Sequence, residues 1–286
     1  MGNWSQLFFL CFFAFGGFIL GIFLSLILGA VMQEDITNPA SYSLSFMRIS
    51  QIVSLVCWLL VSAFLFLALF KEAPRSYLKT DTKVSWLYIP LVILLVVAVQ
   101  PLVELSGYLN EQISFPQPLE NYFQHQKEIS EAFLNRFVAD TSIIGIILNI
   151  FVIAVTAAVV EEIFFRGCMQ QIFVKIVKNK HVGVWITAII FSAIHMEFYA
   201  FIPRVLLGAM LGYIYLWSGS LWMPMLAHFL NNLGALIMYG TPEYEELISY
   251  NPESNVIYIV ASIVLTVVIG YLFVRLNKRK IPENKD

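Results

Sequence analysis

Charged side chains are scarce in this sequence. Asp, Glu, Lys and Arg make up only 13% of its 286 residues, about half the share of an ordinary soluble domain. With 59% hydrophobic residues beside them, this excludes a soluble globular fold and points to an integral membrane protein. The net charge of −2 offers no basic surface, so no nucleic-acid partner is expected. Cysteine is equally sparse. Cys11, Cys57 and Cys168 lie in or beside apolar runs without paired spacing, which excludes a disulfide framework and a cysteine-based zinc site. There is no HExxH zinc motif, no GxSG serine motif and no pair of intramembrane aspartates; Asp140 stands alone at the mouth of an apolar run. Internal repeats and low-complexity linkers are also missing. One membrane domain, 1–286, is therefore expected.

What the sequence does hold is long apolar runs. A stretch of about 17–25 such residues crosses the hydrocarbon core as a helix. Eight are read here, at about 7–32, 51–70, 85–107, 142–165, 182–199, 203–217, 220–239 and 255–275. The first has no basic segment before it and is too long for a signal-peptide core, so it is expected to stay as a span. The third carries Pro90, Gln100, Pro101 and Glu104. Such a helix must face protein or water rather than lipid. Eight spans put both termini on one side. Lys and Arg number 13 on that side and 4 on the other, so both termini are expected in the cytoplasm. Residues 108–141 form a long external loop with amphipathic, partly helical character. Residues 168–180 read as a short basic amphipathic helix on the cytoplasmic face.

Ionisable residues inside spans mark function by default. Three places stand out. The fourth span ends in Glu161, Glu162 and Arg166; the fifth carries His195, four residues after Phe191; the seventh carries His228 with Asn231 and Asn232. Glu162 and Arg166 are four apart and share a helix face, so they can pair, while Glu161 points about 100° away and has no local partner. His228 and Asn232 also share a face, and Asn231 points elsewhere. Counted from the expected helix ends, Glu161 lies about 6 Å from the cytoplasmic end of its span, His195 roughly 20 Å in and His228 about 12 Å in. A carboxylate, two imidazoles and a carboxamide suit hydrolysis. The glutamate would take a proton from water, and the others would donate to a leaving amine or an oxyanion. The same set, Glu161, His195 and His228, could instead hold zinc. Taken one at a time, each feature has a plainer reading: a structural ion pair, a helix–helix histidine, interhelical asparagine contacts. Their joint depth is what argues for a site.

At these residues the sequence resembles a known family. "EEIFFRG" at 161–167 fits EExxxR, "FSAIH" at 191–195 fits FxxxH, and "HFLNN" at 228–232 fits HxxxN. Together they resemble the CPBP family of intramembrane proteases, which includes the type II CAAX prenyl endopeptidases and bacteriocin-processing or bacteriocin-immunity proteins. The likeness covers about 142–240, the expected catalytic core. It implies an all-α fold of eight transmembrane helices with an intramembrane cavity open to the cytosol. It further implies that Glu161 activates water with help from His195, that His228 and Asn232 stabilise the oxyanion, and that Glu162, Arg166 and Phe191 support them. A metal-free mechanism without cofactor is expected, with zinc as the alternative. The expected partner is a membrane-associated or lipidated peptide in the bilayer. A non-catalytic immunity or scaffold protein, binding a partner through the same polar cavity, is the rival reading, and a proton-relaying transporter a third.

Overall fold

The computed structural model describes residues 2–241 and 256–278. Among the described residues every regular element is a helix. We label the principal helices α1 (Asn3–Val31), α2 (Leu44–Leu69), α3 (Tyr88–Glu111), α4 (Gln117–Val138), α5 (Ile143–Val177), α6 (Lys180–Ala193), α7 (Phe201–Ser218), α8 (Trp222–Tyr239) and α9 (Val256–Lys278).

Six helices among the described residues are long and apolar enough to cross a membrane: α1, α2, α3, α5, α7 (with the 3-10 turn before it) and α9. The other two expected spans exist as helices of a different kind. α6 has 14 residues, about 21 Å of helix, which is shorter than the roughly 30 Å hydrocarbon core. α8 has 18 residues, but His228, Asn231 and Asn232 dilute its apolar character. The outer helices carry large apolar side chains to their surface, among them Phe8, Phe12, Phe15 and Phe23 on α1 and Val267 and Tyr271 on α9. That suits lipid as the surrounding solvent, and the protein is an integral membrane protein.

α1 packs on α2 through small residues. A Cβ at Gly17 would lie 2.2 Å from the Cys57 carbonyl oxygen, so only glycine permits this approach. Cys57 belongs to a π-helical segment of α2, Val56–Val61, and Ser62 just beyond it donates to the Phe13 carbonyl at 2.8 Å. A second core joins α3, α7, α8 and α9 around Tyr88, Val92, Ile214, Ala227 and Phe273.

Three expectations need correction. Residues 168–177 are not a separate surface helix: they continue α5, which runs unbroken for 35 residues, and Gln170 and Ile172 are buried in it. Burial won because Ile172 packs into the core formed with Leu67, Leu78 and Tyr215. Glu161 consequently sits near the middle of a long helix, about 24 Å from its last residue, rather than beside its end. Arg166, reckoned as a loop charge, is a fully buried helical residue, and Arg204 lies in the first turn of α7. Without those two the count is 12 against 3 and keeps its sign. The segment 108–141, expected as an external loop, is more regular than expected. It is the 22-residue α4, tied down by Lys127 to Glu111 at 2.9 Å and by Arg136 to the carbonyls of Pro39, Ala40 and Tyr42. The basic tail beyond Lys278 lies outside the described residues.

Candidate active site

α5 is the spine of the site. Two π-helical segments, Ile150–Thr156 and Ile163–Met169, flank the turn that holds Glu161 and Glu162. Such segments widen a helix by a residue per turn, free carbonyls from the regular ladder and re-aim side chains, and they gather at functional sites. Both effects are visible. The Ile153 carbonyl in the first segment accepts from Asn232 Nδ2 at 3.2 Å. Arg166, in the second, swings back to Glu162.

Glu162 is fully buried. Its Oε1 accepts from Arg166 Nη1 at 2.7 Å and lies 2.9 Å from His228 Nδ1. The expected Glu162–Arg166 pair is present, and the His228 contact was not foreseen. Arg166 Nη2 donates to the Gly208 carbonyl at 2.9 Å. α7 comes that near because Gly208 has no side chain: a Cβ there would press on Ala188 at 3.2 Å and the Phe191 ring at 3.3 Å. Phe191 forms the wall between the parts. The Arg166 guanidinium lies 4.7 Å from its ring centroid, and it makes edge contacts with Phe165, His195 and His228.

Glu161 points the other way, as helix geometry requires. Its Oε2 is buried without a hydrogen-bond partner among the described residues, and His228 Nε2 stands 3.9 Å from it. His195 is not inside a span. It lies in the turn just past α6, where Met196 takes a left-handed φ of 55° that few bulky residues adopt. His195 Nδ1 lies 2.7 Å from the Phe191 carbonyl. A carbonyl only accepts, so Nδ1 carries a proton, and in the neutral ring Nε2 keeps its lone pair.

Glu161, Phe191, His195, His228, Asn231 and Asn232 line one cavity of about 220 Å³. All four expected catalytic side chains therefore meet at one place. Asn231 does not point elsewhere. It lines the same cavity, its Nδ2 approaches Asn232 Oδ1 at 3.5 Å, and its Oδ1 takes Gln100 Nε2 from α3 at 3.4 Å. Arg204, one of the four Lys and Arg residues counted on the less basic side, is a further lining residue. An arginine three residues into an apolar helix was the signal available. Among the described residues no group of three or more His, Cys, Asp or Glu side chains is arranged to hold a metal ion.

The cavity of this helical membrane protein thus brings together a carboxylate, two imidazoles and two carboxamides. Residues 143–234 match the family described as type II CAAX prenyl endopeptidase Rce1-like. The uncharacterized protein YpbD of Bacillus subtilis (strain 168) is 33% identical over 86 residues, which span 29% of this chain and 41% of that protein. The match thus covers less than half of the relative's length. No solved structure matches the chain.

Proposed function

We propose that the protein is an intramembrane endopeptidase that hydrolyses a peptide bond in a membrane-associated or lipidated substrate. The observation that carries this is the carboxylate of Glu161, which has no hydrogen-bond partner among the described residues and lines a cavity with two imidazoles, while its neighbour Glu162 is tied through Oε1 to Arg166 and His228. A carboxylate without a donor in a polar cavity is free to take a proton.

In this reading water sits between Glu161 and His195 Nε2. Glu161 takes one proton as the water oxygen bonds to the carbonyl carbon. His228 lies between two carboxylates and in its protonated form donates from Nε2 to the oxyanion, while Glu162 holds Nδ1. Asn232, fixed by the Ile153 carbonyl, supplies a second donor from its other N–H. As the C–N bond breaks, the proton on Glu161 passes to the leaving amine, and the new carboxyl end departs. The chemistry needs no cofactor. The eight-span arrangement, the cytoplasmic termini and the opening of the cavity toward the cytosol belong to the same proposal, supported by the 12-to-3 charge bias.

The test is N-terminal profiling of membrane peptides from cells with wild type or Glu161→Gln at matched levels, each with and without a chelator. Peptide ends lost in the variant and kept under chelation are expected. Loss under chelation moves the mechanism to a metal. Identical profiles from the two proteins leave the partner-binding reading in its place.

A further inference from the structure

One end of the bundle gathers cations without carboxylate partners. There α2, α5 and α7 finish and α3, α6 and α8 begin. Residues 71–83 and 175–180, which lie at this end, hold seven Lys and Arg against two acidic residues, Glu72 and Asp81. Among the described residues no carboxylate pairs with Lys79, Lys175 or Lys180. Two of the ammonium groups rest on aromatic rings instead. Lys79 Nζ lies 4.9 Å from the ring centroid of Tyr215, and Lys175 Nζ lies 5.1 Å from that of Tyr77. A ring face attracts a cation, yet it leaves the net charge uncancelled.

This patch is held by the fold. Gln171 of α5 donates to the Tyr77 carbonyl at 2.8 Å, the Leu221 amide reaches the Lys79 carbonyl at 3.4 Å, and Trp222 Nε1 donates to the Thr80 carbonyl at 2.9 Å. Residues 77–80 are thus fastened to α5 and to the start of α8. Lys79 takes a left-handed φ of 57°, a conformation that glycine adopts without cost. A lysine in that place takes on backbone strain, and what it adds is a half-buried ammonium. Burial, followed by the neighbouring Lys180, holds that ammonium below its usual range. An anion beside it would offset both effects. The Tyr77 and Tyr215 hydroxyls are buried with no hydrogen-bond partner among the described residues, so the aromatic floor keeps two unused donors.

The surroundings favour a lipid as the source of the anion. Trp86 and Trp222 are more than half exposed at this end. So is Trp4, next to Asn3, whose Nδ2 donates to the Lys175 carbonyl at 3.1 Å. Exposed tryptophans collect at the headgroup level of a bilayer, which is the depth of a phosphodiester. Within three turns of Asn3, α1 presents Phe8 and Phe12 outward, an apolar surface of the kind that acyl chains cover.

We propose that Lys79, Lys175 and Lys180 form a binding site for an anionic phospholipid, with the headgroup phosphodiester beside Lys79 and the acyl chains along the outer face of the bundle. The site is separate from the cavity that holds Glu161 and depends on neither a peptide substrate nor hydrolysis. Its selectivity follows from charge. A zwitterionic headgroup brings its own cation, which the lysines repel, whereas an anionic one brings only the phosphate. Through the bond between Trp222 and Thr80, the bound lipid also steadies the start of α8.

The test is native mass spectrometry of the whole purified protein in a neutral detergent, titrated with dioleoyl phosphatidylglycerol or dioleoyl phosphatidylcholine. The first phosphatidylglycerol should bind about 100-fold more tightly than the first phosphatidylcholine, at about fivefold for each lysine. Lys79→Asn, which keeps a residue able to hold the left-handed turn, should lose about fivefold. Lys79→Arg should retain the affinity, and the Lys79→Asn/Lys175→Gln/Lys180→Gln protein should lose the preference altogether. Arg275→Gln makes the same change in charge near the end of α9 and should alter affinity by less than about twofold. Equal binding of the two lipids by wild type overturns the inference without reference to any variant. An equal loss in Lys79→Asn and Arg275→Gln reduces the effect to overall charge and overturns it as well. Inorganic phosphate that competes at the same concentration as the lipid would assign the site to a soluble anion and overturn the lipid assignment.

Discussion

Glu162 Oε1 lies 2.9 Å from His228 Nδ1 and takes Arg166 Nη1 at 2.7 Å on the same oxygen. One carboxylate thus joins two helices and a buried cation, and leaves its neighbour Glu161 unengaged. The two adjacent glutamates should respond differently to the same change. Glu161→Gln is near-isosteric and breaks no hydrogen bond, so turnover should vanish while thermal unfolding in detergent stays within about 0.5 kcal/mol of wild type. Glu162→Gln leaves Arg166 buried without its counter-charge and should cost about 3–5 kcal/mol. Equal unfolding temperatures for the two variants would refute this division of labour.

Asn232 is anchored to a carbonyl that the π-helical segment of α5 makes available. Asn232→Ala should reduce kcat by about 100-fold if its second N–H meets the oxyanion. The loss of its hydrogen bond to Ile153 should cost about 0.5–1.5 kcal/mol. Asn231→Ala, whose contacts are both near 3.5 Å, should lose far less of either. Kinetics and unfolding on the two single variants check the order.

Asn110 satisfies one carbonyl and one amide of the segment that joins His195 to Arg204. Asn110→Leu leaves both unpaired, at about 1–3 kcal/mol for each group. The effect should be local. Hydrogen exchange should quicken across 196–204 and remain as in wild type across α1 and α2. Uniform quickening across the chain would show that Asn110 holds the whole bundle instead.

Gly17 tolerates no side chain where α1 crosses α2. Gly17→Val should destabilise by about 1–3 kcal/mol through overpacking. Gly16, where an added Cβ meets nothing within 4 Å, should accept Ala without loss. Detergent unfolding of both variants measures the contrast.

Asp140 lies between α4 and α5, outside the spans, with its Oδ2 2.8 Å from Arg48 Nη2. The Arg48 hydrogen bond, followed by that of Ser142, holds its carboxyl below the usual carboxylate range. A depressed value in the folded state adds stability above the unfolded value near 4 and loses it as pH falls through the folded value. Unfolding temperature should therefore drop below about pH 4 in wild type, and the Asp140→Asn protein should lack that part of the drop. Parallel curves for the two proteins between pH 3 and 7 would count against the Arg48–Asp140 latch.

The membrane class, the helical content and four of the residues that line the cavity, Glu161, His195, His228 and Asn232, were legible in the chain itself, because each rests on local rules. Apolar length makes a membrane helix, and an i,i+4 spacing pairs Glu162 with Arg166 and turns Glu161 away. Spacing also put His228 and Asn232 on one face. The tertiary structure decided what depends on distant segments. Ile172 carries α5 past its expected end because a core awaits it. Gly208 lets α7 approach until Arg166 reaches a backbone carbonyl. His228 finds Glu162 across 66 positions of sequence. Arg204, read along the chain as one of the four charges on the less basic side, becomes a cavity wall only because Asn110 and Ser192 fasten the turn before it. Periodicity reports which side a residue faces, whereas the identity of what it faces is set by packing between helices, and no local pattern encodes that.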